Sequence, residues 1–275
     1  MIKPLVQDNI VALATPIGVG AIAIVRISGQ ELINIYKQIT GSKTNPIPRY
    51  ANYKTIIDSN KNPIDNCLIT YFKGPSSFTG EDIIEISCHG GEFIPKAILS
   101  MLYALKVRQA SPGEFSYRAF INGKIDLVQA ESISGIISAK TSKNAQVQLN
   151  NLNGKLSNSI LEIRDKTINL LTILEHELDF SEEEISFTKV EDINKIIKSI
   201  NDPIEKMLKS FNFGSIINTG IRVVLCGKPN AGKSSLFNKI SGSNRSIVTD
   251  IAGTTRDIIE TWLEISGIPI CIIDT

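Results

Sequence analysis

Apolar residues fall in short, turn-bounded runs over the first 122 positions and at steps of three and four thereafter. Ile10 to Ala14 and Ala21 to Ile27 predict strands on either side of Thr15-Pro16-Ile17-Gly18-Val19-Gly20. Ile56-Ile57, Cys67 to Phe72 and Asp82 to Cys88 predict further strands. Between Glu92 and Lys106, Ile94, Ile98, Met101, Leu102 and Leu105 share one face of a helix. The expectation for residues 1–122 is a mixed α+β domain.

From about residue 125 the period lengthens. Leu149, Leu152, Leu156, Ile160, Ile163, Thr167, Leu170, Leu174 and Leu178 make one stripe, which predicts a single long amphipathic helix. Ile193, Ile196, Ile197, Ile200, Ile204, Met207, Leu208 and Phe211 make a second. Pro203 lies inside that second stripe and has no amide donor. It predicts a kink or a restart there, capped by Asn201 or Asp202. The acidic stretch Glu175 to Glu184 between the helices reads as a solvated turn, with a metal site as the alternative. Residues 123–215 are thus expected to be a helical-bundle domain, incomplete because too few helices cover its stripes.

The third region, 216–275, changes period again. Ile221 to Cys226 is a compact apolar strand, Ser234 to Ile240 opens a helix, and Asp257 to Ile265 alternates as a strand does. Ser266-Gly267 is a turn, and Ile268 to Ile273 is another strand. Strand, loop, helix, loop and hairpin in that order predict the first part of a Ras-like α/β nucleotide-binding domain. Three strands and one helix do not close a parallel-sheet core, so the sequence reads as part of a longer protein. The fold class expected overall is multidomain α+β.

Composition narrows the classes. A chain of 275 residues is long enough for more than one domain. Lys+Arg 29 against Asp+Glu 28 leaves +1, so no global basic field points to nucleic acid. The four cysteines, Cys67, Cys88, Cys226 and Cys271, lie far apart without a C-x-x-C pair. That spacing disfavours a disulfide framework or a zinc site and fits a cytoplasmic protein. The early apolar run Ala21 to Ile27 carries Arg26, which a signal-peptide core would exclude, and no transmembrane run exists.

The chemistry concentrates at Gly227-Lys228-Pro229-Asn230-Ala231-Gly232-Lys233-Ser234, which matches the phosphate-loop pattern with a strand before it and a helix after it. Its glycines let backbone amides turn toward phosphate oxygens at a helix N-terminus. Lys233 would neutralise the β- and γ-phosphates and Ser234 would ligate Mg²⁺. The alternative is a plain glycine turn at a helix start. Downstream, Thr249-Asp250-Ile251-Ala252-Gly253-Thr254-Thr255-Arg256-Asp257 suits a switch segment whose threonine completes the Mg²⁺ shell. Asp274 ends an apolar strand, where such folds place the acid that holds Mg²⁺ through water; a simple strand-end aspartate is the other reading.

Two further motifs are set aside. Gly18-Val19-Gly20-Ala21-Ile22-Ala23 fits a dinucleotide pattern, but strand rather than helix follows it. Cys88-His89-Gly90-Gly91 could hold a metal or a nucleophile, yet with two histidines in the chain a turn after a strand is favoured.

The phosphate loop followed by Asp250–Asp257 resembles the bacterial GTPases that include the Era-like group. The preceding residues narrow the resemblance. Ala14-Thr15-Pro16, Arg26-Ile27-Ser28-Gly29, Ser77-Phe78-Thr79-Gly80-Glu81-Asp82, His89-Gly90-Gly91 and Pro112-Gly113-Glu114-Phe115 occur together. So do the run from Arg118 to Leu127 and Leu178-Asp179-Phe180. That series closely resembles the tRNA modification GTPase family MnmE, also called TrmE, over the whole chain.

The resemblance implies an N-terminal folate-binding domain that homodimerises, a helical domain, and a GTPase domain inserted into the helical one. It implies a 5-formyl-tetrahydrofolate-type ligand at Arg26, Glu85 and Lys124; on the residues alone, a buried ion pair at Arg26 is an equal alternative. It implies GTP binding through Asn230, Ala231, Gly232, Lys233, Ser234, Ser235, Thr249, Asp250, Ile251, Ala252, Gly253, Thr254, Thr255, Asp274 and Thr275. Mg²⁺ falls to Ser234 and Thr255. K⁺ replaces an arginine finger and falls to Asn230, Thr249, Ile251 and Thr254. No catalytic residue is assigned, because the family's catalytic acid lies beyond Thr275; its guanine-reading and C-terminal cysteine motifs are also missing. The implied role is K⁺-stimulated GTP hydrolysis in 5-carboxymethylaminomethyl modification of the tRNA wobble uridine, U34. The implied partner is an FAD-dependent protein of the MnmG (GidA) type, in a heterotetramer that serves tRNA. The alternatives are a non-catalytic, dimeric folate-binding fragment and an Era-like ribosome-assembly GTPase.

Overall fold

A computed structural model describes residues 8–179, 188–228, 231–243 and 259–274; of Asn212, Phe213, Ser234, Ser241, Ser243, Ile259, Glu260 and Asp274 it describes the backbone alone. The architecture is multidomain α+β, in two compact units that meet between Asp126 and Leu127.

The first unit is built on a six-stranded sheet. Its strands are β1 (Ile10–Leu13), β2 (Ile22–Gly29), β3 (Ala51–Ile57), β4 (Pro63–Phe72), β5 (Asp82–His89) and the two-residue β6 (Arg108–Gln109). They lie in the order β3-β4-β5-β2-β1-β6. All neighbours are antiparallel except β1 and β6. Period-two alternation explains which face is covered. Ala23, Val25 and Ile27 of β2 and Ile84, Ile86 and Cys88 of β5 are buried in one core with Leu32, Tyr36, Ile39, Ile98 and Leu102. The last five belong to helices α1 (Leu32–Thr40) and α2 (Phe93–Ala104), which cover that face. The opposite face carries the row Tyr53, Leu68, Ser87 and Ile24, in register across β3, β4, β5 and β2. Tyr53 and Leu68 there are exposed. Helix α3 (Glu114–Ile121) follows β6. Where the chain leaves β5, Gly90 passes so close to Gly20 that a Cβ would stand 2.3 Å from the Gly20 carbonyl oxygen. The Gly90 amide donates to the Ala21 carbonyl at 3.1 Å.

The second unit opens with helices α4 (Leu127–Ile137), α5 (Ser142–Leu152), α6 (Lys155–Asp179) and α7 (Val190–Thr219). The Leu149–Leu178 stripe is therefore two helices, not one. Asn153 ends the first, and Gly154 follows with φ 83°, a left-handed conformation that stops a helix and that glycine adopts without a steric penalty. The Ile193–Phe211 stripe departs in the other direction. α7 runs unbroken through Pro203 to Thr219, with no restart and no cap at Asn201 or Asp202. The stripe on both sides of the proline stays on one face, and the missing single amide does not outweigh the rest of the ladder.

Gly220 ends α7, and β7 (Ile221–Leu225), α8 (Lys233–Ser243), β8 (Ile259–Ile265) and β9 (Ile268–Asp274) follow. The sheet order is β7-β9-β8, with β9 parallel to β7 and antiparallel to β8. Phe237 of α8, Leu263 and Ile272 form its buried core. Ser266-Gly267 is the turn between β8 and β9, as the sequence predicts.

Candidate functional site

On the uncovered sheet face of the first unit, antiparallel register sets Arg26 of β2 opposite Glu85 of β5. Arg26 Nη2 and Nε lie 2.7 and 2.8 Å from Glu85 Oε1. The side chains are 32% and 27% exposed, so the pair is reachable from solvent. The rings of Phe78 and Phe115 flank the guanidinium, their centroids 6.0 and 5.8 Å from Arg26 Cζ, within cation–π range. The structure thus brings together two of the three residues expected at a folate site and sets aromatic rings beside the guanidinium. The Lys124 side chain packs by Gly80, two positions from Phe78, and lines a groove of about 640 Å³ with Asp8, Gly80, Glu81, Asp82 and Asn122.

Beside this face lies a charge cluster that the sequence reading did not assign. The Arg118 guanidinium, 11% exposed, reaches Asp8 Oδ1 at 2.6 Å, Glu81 Oε2 at 3.1 Å and Glu114 Oε1 at 3.1 Å. Arg108 binds Asp8 Oδ2 at 2.5 Å and Glu114 Oε1 at 2.7 Å. Ser28 Oγ donates to Glu81 Oε2 and lies 2.7 Å from the Thr79 hydroxyl. Hydrogen bonds from Arg108, with help from the Ser111 amide and Arg118, hold the Glu114 carboxyl down at about 2 against the cost of burial. Asp8 is held below its usual range, by Arg108 first. The cluster ties the segment carrying Phe78 and the helix carrying Phe115 to the sheet beside Arg26. Its sequence signal was confined to residues of the motif series, Ser28, Glu81, Glu114 and Arg118, with Asp8 and Arg108 outside them.

Cys88-His89-Gly90-Gly91 is a strand end and turn. His89 donates its backbone amide to Asp65 Oδ2 at 2.8 Å, and its Nδ1 lies 2.7 Å from Asp65 Oδ1. Burial pushes the Cys88 thiol up to about 11, which leaves it inert as a nucleophile at neutral pH. Among the described residues no cluster of histidine, cysteine and carboxylate side chains could hold a metal ion.

In the second unit, β7 delivers the chain to the phosphate loop and α8 leaves it. Lys233 opens α8, and its Nζ donates to the Gly227 carbonyl at 3.0 Å, so the ammonium arches back over the loop. The amides of Lys233, Ser234 and Ser235 belong to the first turn of α8 and have no acceptor within the helix, the arrangement that receives anions. The backbone of Asp274 pairs with Leu225 in the parallel ladder, which sets it beside the end of β7 at the entrance to the loop. Ala231 and Gly232 lie in the loop itself. Asn230, Thr249, Asp250, Ile251, Ala252, Gly253, Thr254, Thr255 and Thr275 lie outside the described residues, and with them the K⁺ ligand set and Thr255 of the Mg²⁺ set. Serine hydroxyl and aspartate carboxylate are hard oxygen donors of the kind Mg²⁺ takes beside phosphates, so Ser234 and Asp274 fit that ion in type and in backbone position.

The chain matches two family models, described as the GTP-binding protein TrmE N-terminus over residues 9–124 and the MnmE helical domain over residues 127–269. It is 42% identical to a protein named tRNA modification GTPase MnmE from Cytophaga hutchinsonii over 269 residues, 98% of this chain and 58% of that protein. Proteins of the same name from Clostridioides difficile and Aquifex aeolicus are 43% and 41% identical, over 98% of this chain and 60% of each of them. The chain spans about 60% of the length of these curated relatives. Among the described residues, no helix is long and apolar enough to cross a membrane.

Proposed function

The chain belongs to the MnmE family, and from that premise we propose that it serves in tRNA wobble-uridine modification as the part that holds GTP phosphates and a reduced folate. One observation carries the nucleotide half of this reading. Strand, glycine loop and helix occur in the order that builds a phosphate cradle, and Lys233 is already folded over it. Mg²⁺ would be held by Ser234 and Thr255, and K⁺ by Asn230, Thr249, Ile251 and Thr254. K⁺ would offset charge that develops between the β- and γ-phosphates during hydrolysis. The folate half rests on the Arg26–Glu85 pair: a planar heterocycle with an anionic tail offers hydrogen-bonding edges to the carboxylate and charge to the guanidinium.

The proposed assembly is a cytoplasmic homodimer through the N-terminal unit, joined to an FAD-dependent MnmG-type protein in 5-carboxymethylaminomethylation of U34. Exposed Tyr53, Leu68 and Ile22 on the uncovered sheet face supply an apolar surface for the dimer.

Calorimetric titration of the chain with Mg²⁺-GTP tests the reading. Binding by the parent and its loss in Lys233→Ala is the expected result; no heat with the parent overturns it. Equal GTP hydrolysis in KCl and NaCl by a protein that does turn over would overturn the K⁺ role.

A further inference from the structure

The turn between β8 and β9 is seated on the elbow between α4 and α5. Lys140 Nζ stands 3.0 Å from the centroid of the Trp262 ring in β8. Thr141 Oγ1 donates to the Gly267 carbonyl at 3.2 Å while accepting from the Asn144 amide as the α5 cap. Gly267 has φ 82°, a backbone conformation that favours glycine, and it packs against the Lys143 side chain. On its other side, Trp262 packs against Gly220 at the end of α7, where a Cβ would stand 2.8 Å from the ring and 2.7 Å from the Pro269 carbonyl oxygen. The hairpin is thus gripped by two separate helical elements.

The hairpin is also directional. At one end Ile259 and Asp274 pair beside Leu225, the last residue of β7 before the phosphate loop. At the other end lies the gripped turn, about 20 Å away at the rise of a seven-residue strand. Asn144, whose amide takes the Thr141 cap, is buried inside the grip.

We propose that this contact is a latch through which occupancy of the phosphate loop is passed to the helical segment, with Lys140 and Thr141 as positioning residues and Trp262 as the moving part. The proposal rests on the nucleotide reading above. A phosphate-dependent shift at the Ile259–Asp274 end would be carried to the turn along the β8–β9 hairpin, whose β9 side is laddered to β7. There it would weaken or strengthen the hold on α5 and α7.

Trp262 is the single tryptophan of the chain, so its fluorescence reads the latch directly. In the wild-type chain, emission is expected to differ between Mg²⁺-GDP and a non-hydrolysable GTP analogue. Lys140→Met should raise acrylamide quenching of Trp262 roughly two- to five-fold, in line with loss of one half-buried cation–π contact. It should also abolish the nucleotide-dependent difference, and Lys140→Arg should restore both. Binding is followed separately by the anisotropy of a fluorescent guanine nucleotide. Bound nucleotide with unmoved Trp262 emission overturns the latch alone, as does a Lys140→Met chain that keeps wild-type quenching. Absence of nucleotide binding overturns the nucleotide reading itself, and the latch with it.

Discussion

Arg118 and Asp8, 110 positions apart in the chain, meet at 2.6 Å through Nη2 and Oδ1, and Arg118 Nη1 also takes the Asp8 backbone carbonyl at 2.9 Å. One guanidinium therefore clamps the N-terminal end of β1 to α3 and to the loop that carries Thr79 and Glu81. Replacing it takes the arginine from Glu81 and leaves Asp8 and Glu114 to Arg108 alone. Arg118→Met is expected to lower the unfolding free energy of the first unit by about 2–4 kcal/mol, read by urea denaturation. An unchanged midpoint would show the cluster to be idle.

Acid should undo the same cluster. The folded-state values of Glu114, about 2 against an ordinary 4.5, and of Asp8, lowered from 3.8, are both depressed. Depressed carboxylates stabilise the fold above their unfolded values and lose that contribution as pH falls through the folded ones. Stability of the first unit is expected to be level above pH 4.5 in this respect and to decline from there toward pH 2. Glu114→Gln should flatten that decline in a thermal-melt series.

Gly90 admits no side chain. The Cβ of Gly90→Ala would meet backbone atoms of Gly20 at 2.3 and 2.7 Å, and backbone cannot swing aside as a side-chain tip can. A loss on the order of 2–3 kcal/mol is expected for an overpacked contact of this kind. Gly91→Ala next door meets open space but holds φ 133°, so it should cost backbone strain without a clash. Comparison of the two melting temperatures separates the effects.

Arg26→Ala takes from the Glu85 carboxylate its guanidinium partner and from Phe78 and Phe115 the cation they flank. Affinity for 5-formyl-tetrahydrofolate is expected to fall roughly ten- to a hundred-fold, the size of one charge-assisted hydrogen bond. Equal calorimetric titrations of parent and variant would remove Arg26 from the site.

Much of this was legible in the sequence, for identifiable reasons. The β2 and β5 strands announced themselves because short apolar runs bounded by glycine and aspartate have few other homes. The α1 stripe of Leu32, Ile35, Tyr36 and Ile39 was equally regular, yet it was passed over between two stronger strand signals. α3 buries only Ala119 and is held by charges rather than by a stripe, so periodicity could not show it. The break at Gly154 was hidden because the apolar spacing runs on through it, while backbone conformation decides where the helix stops. The Arg26–Glu85 partnership needed the register of two strands 59 positions apart, which no local pattern encodes. Lys124 was named as a third member by motif alone, since no spacing ties it to either strand.

The unbroken course of α7 has a mechanical meaning. Thirty residues of helix make a strut about 45 Å long. Pro203 removes the one rung that would have reached the Ser199 carbonyl, so the strut has a single compliant point placed near its middle. A push at the Gly220 end, beside Trp262, would be taken up as bending at that one position.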